Sequence, residues 1–130
     1  NKFYSLTSLS QEGDEILMAR IGANDPEFNL RRDPGIILRR EGIKNACFVS
    51  IIESHGHYDR VSEIATNAYS SIERLKLEYS DENYVAISWS FVNGDDKIFV
   101  FALGNASSKQ KHSITINGNA YQWTGAYYYN

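Results

Sequence analysis

Apolar and polar residues alternate with a period of two through most of this chain. In RLKLEYS, residues 74–80, Leu75, Leu77 and Tyr79 fall on one side and Arg74, Lys76 and Glu78 on the other, as a half-buried strand requires. In YVAISWSFV, residues 84–92, Val85, Ile87, Trp89 and Phe91 alternate with Ala86, Ser88 and Ser90. KIFVFAL, residues 97–103, is apolar on both sides and predicts a central strand. Between these runs stand SDEN at 80–83, NGDD at 93–96 and Asn117-Gly118, all rich in turn formers. Asn-Gly tolerates positive φ at both positions and is the strongest hairpin signal in the chain. An antiparallel meander is therefore expected from about residue 71 to the end.

The first half predicts strands at about 3–9, 14–22, 35–41 and 46–54. Between the second and third lies ARIGANDPEFNLRRDPG, residues 19–35, whose Pro26 and Pro34 push Asp25 and Asp33 toward extended backbone. Asn24, Asp25 and Asn29 bond readily to nearby main chain, so the stretch reads as a specified loop that Arg31 either locks or leaves to project. In DRVSEIATNAYSSIERL, Val61, Ile64, Ala65, Ala68, Tyr69 and Ile72 recur at helical spacing after Asp59, a candidate N-cap. The many Ser, Thr and Asn residues there weaken a helix. The pattern as a whole predicts an all-β protein, a two-layer antiparallel β-sandwich, with residues 1–130 forming one module.

Length adds that a 130-residue chain can bury roughly two-thirds of its unfolded surface, enough for a core without staples. Nine tyrosines, six phenylalanines and two tryptophans suit either β-structure or a surface that stacks on a ligand. The net charge of −3 speaks against a general nucleic-acid binder. No apolar run approaches the ~20 residues that cross a bilayer as a helix, so no membrane partner is expected. The absence of an initiator Met or leader suggests a soluble piece of something longer. Cys47, the only cysteine, lies in ACFVSII and reads as a small buried hydrophobe.

Four clusters carry candidate chemistry. His55, His57 and Asp59 alternate in ESHGHYD, a spacing that projects three metal ligands to one side of an extended chain; a strand-end turn at Gly56 with solvent-facing histidines competes with it. His112, the remaining histidine, is expected on a surface strand. No GxSxG elbow and no glycine-rich phosphate loop occurs, so neither nucleophilic catalysis nor a cofactor is predicted. Arg31, Arg32, Arg39, Arg40 and Lys44 stand against Asp33 and Glu41, a basic segment in an acidic chain. Arginine forks suit carboxylates, including those of uronic acids; alternatively Arg39 and Arg40 point to opposite faces of a strand and pair with neighbouring acids. In AYQWTGAYYYN, Tyr121, Trp123, Tyr127, Tyr128 and Tyr129 offer either a sugar-stacking platform or the cover of a core. The residues nominated for carbohydrate are Arg31, Arg32, Arg39, Arg40, Lys44, Tyr127 and Tyr128.

LMARIGANDPEFNLRRDPGIILRR, with CFVSIIESHGHYDRVSE and NAYSSIERLKLEY, resembles the C-terminal β-domain of heparinase II/III-like polysaccharide lyases, closest to alginate and oligoalginate lyases. The resemblance implies a larger secreted or periplasmic enzyme with an N-terminal α/α toroid and a central β-sheet, cleaving uronate linkages by β-elimination. It also shifts residues 59–75 toward extended chain. The Asn-His-Tyr machinery of such enzymes comes mainly from the toroid and central sheet, so no catalytic residue transfers to this chain. It implies a non-catalytic supporting module with the toroid and central sheet as partners and acidic polysaccharide such as alginate as ligand. Two alternatives stand beside it: a fragment that retains lyase activity through His55 or His57 with Tyr58 or Tyr69, and a module that only packs against a partner domain.

Overall fold

The structure, a computed structural model, describes residues 2–22, 32–104 and 107–130, with backbone alone at 21, 22, 32 and 33. The described residues form strands and no helix: β1 (Phe3–Ser8), β2 (Asp14–Gly22), β3 (Arg32–Arg40), β4 (Ser50–His55), β5 (His57–Asp59), β6 (Ile64–Thr66), β7 (Ile72–Ser80), β8 (Tyr84–Phe91), β9 (Asp96–Ala102), β10 (Lys111–Ile116), β11 (Asn119–Thr124) and β12 (Tyr127–Tyr129). They fall into two compact units, Asn1–Leu9 with Val49–Asn130, and Ser10–Phe48.

The larger unit is built on a four-stranded antiparallel sheet in the order β12-β9-β8-β7. Its hairpins form where turn residues stand. The Asp81 carboxylate accepts from the main-chain N–H of Asn83 and Tyr84 at 2.8 and 2.7 Å, closing β7–β8. Gly94, at φ 89°, donates to the Phe91 carbonyl and closes β8–β9. Asn117 and Gly118, at φ 50° and 84°, make the tight turn between β10 and β11 that their pairing predicts. The apolar strand β9 is central, as expected.

The β10–β11 hairpin is the second layer. Ile116 sits on Ala86 and Val100 of the sheet, and Tyr79, Ile98, Ile114, Tyr121, Trp123 and Tyr128 close around that centre. On the inward side of β8, Ala86 and Ser90 are small and buried, while Tyr84 at the start of the strand packs on His112 and Trp123 of the hairpin. Small residues let the hairpin approach, whereas Val85, Ile87 and Trp89 occupy the opposite face. Two β-bulges interrupt the β7–β8 register, and the second lies between Leu77 and Tyr79, at Glu78. The Glu78 carboxylate accepts from Ser88 Oγ at 2.7 Å, Asn117 Nδ2 at 2.9 Å and Lys76 Nζ at 3.0 Å, pinning the hairpin to the sheet.

Two expectations need correction, and the open reading of residues 59–75 falls on the extended side. The meander does not run unbroken to the end: after β9 the chain makes the separate β10–β11 hairpin, and β12 then returns to pair with β9. The fourth strand begins at Ser50 rather than 46, with β1 as its antiparallel partner. Residues 59–75 hold no helix; Asp59 caps a turn instead, accepting from Val61 N–H at 2.9 Å and Ser62 Oγ at 2.8 Å before the short β5–β6 pair continues. Glu53 of β4 collects hydrogen bonds from the Ser70 hydroxyl, the Ser71 N–H at 3.0 Å and the Ser71 hydroxyl at 2.5 Å, fixing the start of β7. The serines that weaken a helix are used here as donors.

The smaller unit is a long two-stranded ribbon. β2 and β3 pair continuously from Asp14 opposite Arg40 to Gly22 opposite Arg32.

Candidate functional site

The basic segment lies in the smaller unit, and alternation along β3 sends Arg39 and Arg40 to opposite faces. Arg40 meets its cross-strand partner Asp14 with two parallel bonds, Nε to Oδ1 at 2.5 Å and a terminal nitrogen to Oδ2 at 2.7 Å. It also donates to Gln11 Oε1 and lies 5.5 Å from the Phe48 ring centre. Side-chain exposure is only 10% for Arg40 and 5% for Asp14. The guanidinium bonds, helped by the Gln11 N–H, hold the Asp14 carboxyl below its usual range, and the carboxylate raises Arg40 in turn. Arg39 pairs with Glu15 at 2.6 Å and Glu41 at 3.3 Å, with half its side chain exposed. Lys44 is exposed. Arg31 lies outside the described residues, as do Asn24, Asp25 and Asn29, and Arg32 is described by its backbone alone. Cys47 is half-buried, and burial raises its thiol, which suits a packing residue rather than a nucleophile.

The histidine motif is dispersed by its hydrogen bonds. His55 is not solvent-facing: Nε2 lies 2.6 Å from Ser5 Oγ, Nδ1 lies 2.8 Å from the Asn67 carbonyl, and the ring stacks on Phe3. Both ring nitrogens are thus engaged. His57 is exposed, and Asp59 serves its own turn. Among the described residues no group of three His, Cys, Asp or Glu side chains converges in a metal-binding arrangement. His112 is also corrected, from a surface strand to the interior: it is 8% exposed, stacked on Trp123 at 5.0 Å, with Nδ1 3.3 Å from Tyr84 Oη. It shares the inward phase of Ile114 and Ile116, a signal present in HSITI.

The C-terminal aromatics divide between two faces. Tyr121, Trp123 and Tyr128 cover the core, Tyr128 edge-on to Tyr121 at 5.4 Å. Tyr127 and Tyr129, both more than half exposed, project from the other face of the sheet. Tyr127 stacks on Phe99 at 5.2 Å and Tyr129 on Trp89 at 5.9 Å, with Lys97 Nζ 5.9 Å above the Tyr129 ring. Rings stacked on one another partly cover the faces that a sugar would use.

A recess of about 370 Å³ between sheet and hairpin, lined by Arg74, Glu78, Ser88, Asp96, Asn119 and Tyr121 among others, was not foreseen. Its residues come from several strands, so no local motif marks it. Its polar groups are largely spent on each other: Glu78 holds Ser88 and Asn117, and Arg74 faces Asp96 at 3.8 Å.

No family model matches the chain. It is similar to an alginate lyase of Stenotrophomonas maltophilia, 32% identical over 127 residues, which is 97% of this chain and 17% of that protein. It is also similar to an exo-oligoalginate lyase of Saccharophagus degradans, 34% identical over 128 residues, 96% of this chain and 17% of that protein. The chain thus spans about one-sixth of the length of the relatives it matches.

Proposed function

We propose that this chain is a non-catalytic β-module at the C-terminal end of a larger alginate-lyase-like enzyme of the heparinase II/III-like kind, secreted or periplasmic, in which it supports the catalytic portion. The observation that carries the reading is the match of nearly the whole chain to only 17% of two lyases. Uronate β-elimination requires a base at C5 and neutralisation of the adjacent carboxylate. Two of the three described histidines do not offer that pairing: both nitrogens of His55 are occupied and His112 is enclosed by aromatic rings, which leaves the exposed His57 as the position where a competing activity would have to lie. In this reading the toroid and central sheet of the parent supply the machinery. The isolated chain, incubated with alginate at high concentration, should give no absorbance of the unsaturated product; a signal that tracks the protein and is lost in His57→Ala would overturn the non-catalytic assignment.

Binding of acidic polysaccharide is the narrower part of the proposal. Arg40 is nearly buried on Asp14 and Arg39 is shared by two glutamates, so the exposed Lys44 is the described member of the segment most open to a uronate. Calorimetric titration with alginate oligosaccharides should give heat that falls with salt and with Lys44→Ala. No heat at low salt removes the binding role and leaves the supporting one.

A further inference from the structure

The β2–β3 ribbon is apolar on both of its faces. On one, Ile16 is 58% exposed, Met18 80% and Ile36 47%; on the other, Leu17 is 42% and Ile37 47%. Cross-strand pairing groups them, since Ile16 faces Leu38, Met18 faces Ile36 and Leu17 faces Ile37. A strand pair with one wet face would alternate polar and apolar residues, whereas consecutive apolar residues such as Ile16-Leu17-Met18 belong to strands covered on both sides. An isolated two-stranded ribbon is also marginal in water.

The apolar zone has a defined root. One step along, each face changes to an ion pair: Asp14 with Arg40 on the first, Glu15 with Arg39 on the second. At that line the paired strands end.

We infer that residues 16–19 and 35–38 form a two-faced tongue inserted between layers of the remainder of a longer polypeptide, with the two arginine–carboxylate pairs marking the edge of the buried zone. The inference rests on the module reading above. The occupant follows from length and from symmetry. The matched segment is 17% of its relatives, which leaves ample chain to cover both faces. A second copy bound through one isologous contact would cover one face and leave the other bare, so a simple dimer does not account for both. Aliphatic faces also lack the polar groups that a sugar ligand needs.

Met18 is the chain's only methionine and reports on one face directly. Peroxide oxidation of Met18, followed by peptide mass, should be at least about tenfold slower in the longer polypeptide than in the 130-residue chain, the protection that coverage by a stable element gives. Thiol labelling of Ile37→Cys, mapped apart from Cys47, should show the same protection on the other face. Equal rates in the two proteins overturn the inference, and protection of one face alone overturns the two-faced insertion. Protection in the 130-residue chain that grows with its concentration would assign the surface to a second copy and overturn the chosen occupant. A longer protein that protects both faces but leaves alginate intact would remove the lyase reading and keep the tongue.

Discussion

Arg40 and Asp14 meet across the root of the β2–β3 ribbon through two parallel hydrogen bonds, nearly shut off from solvent, while the neighbouring pair Arg39 and Glu15 is half exposed. The two pairs are one residue apart and differ in environment. Arg40→Lys should lower the melting midpoint almost as far as Arg40→Ala, because an ammonium cannot reproduce the paired geometry. Glu15→Gln should change stability by no more than about 0.5 kcal/mol. A double-mutant cycle on each pair checks this, with strong coupling expected for Asp14–Arg40 alone.

Acid should destabilise the fold. Ser88's hydrogen bond, opposed by burial and reinforced by Lys76 and Asn117, brings Glu78 below its ordinary range. Burial pushes Glu53 up, but the bonds from Ser70 and Ser71 and the charge of His55 together outweigh it. Both therefore bind protons less readily folded than unfolded. Their contribution is complete above the unfolded value, near pH 4, and is lost as pH falls through the lower folded value. Denaturant midpoints at pH 7 and pH 3 should differ less in Glu78→Gln than in the parent chain. An unchanged difference would mean that Glu78 carries none of the acid sensitivity.

Gly56 holds the corner between β4 and β5 at φ 62°. A Cβ there would strike the Asn67 carbonyl oxygen and lie 2.6 Å from that of Thr66, both main-chain atoms. Gly56→Ala should cost about 2 kcal/mol or more, the left-handed penalty plus displaced backbone. Amide exchange should rise first in β5 and β6, and exchange unchanged there would contradict the steric account.

Ile116 is the hairpin's central contact with Ala86 and Val100 and is 4% exposed. Ile116→Ala should cost about 2–4 kcal/mol through lost burial and the cavity left behind. Ala86→Leu should also destabilise, because the side chain would occupy the space that admits the hairpin. Thermal melts of both variants test whether the core lies on this face of the sheet.

The strands were legible because alternation and turn residues agree over residues 72–124, and Asn117-Gly118 alone located the tightest hairpin. The inward phase was harder to read. In YVAISWSFV the large residues Val85, Ile87 and Trp89 invite a core assignment, yet it is Ala86 that lies under Ile116 of the hairpin, since close approach favours a small side chain there. Tyr127, Tyr128 and Tyr129 carry no phase at all, being identical, and nominating two neighbours placed them on opposite faces. Arg39 and Arg40 drew attention by charge, but their partners Glu15 and Asp14 lie a whole hairpin earlier and become neighbours only through register. His55 was misread as solvent-facing for the same reason, because Ser5 and Asn67 reach it from distant parts of the chain.

The return of β12 to β9 sets the order of events at the ribosome. β9 emerges before β10 and β11, which can close on each other as a local hairpin, while its outer edge waits for Tyr127–Tyr129. Until then the nascent chain carries an unsatisfied strand edge beside Phe99 and Phe101, the kind of surface that chaperones cover and that otherwise recruits other chains. The pairing of β12, sealed by mutual bonds between Ile98 and Asn130, closes that edge of β9. Cutting the chain before Tyr127 should raise the insoluble fraction above that of the 130-residue chain expressed alongside it.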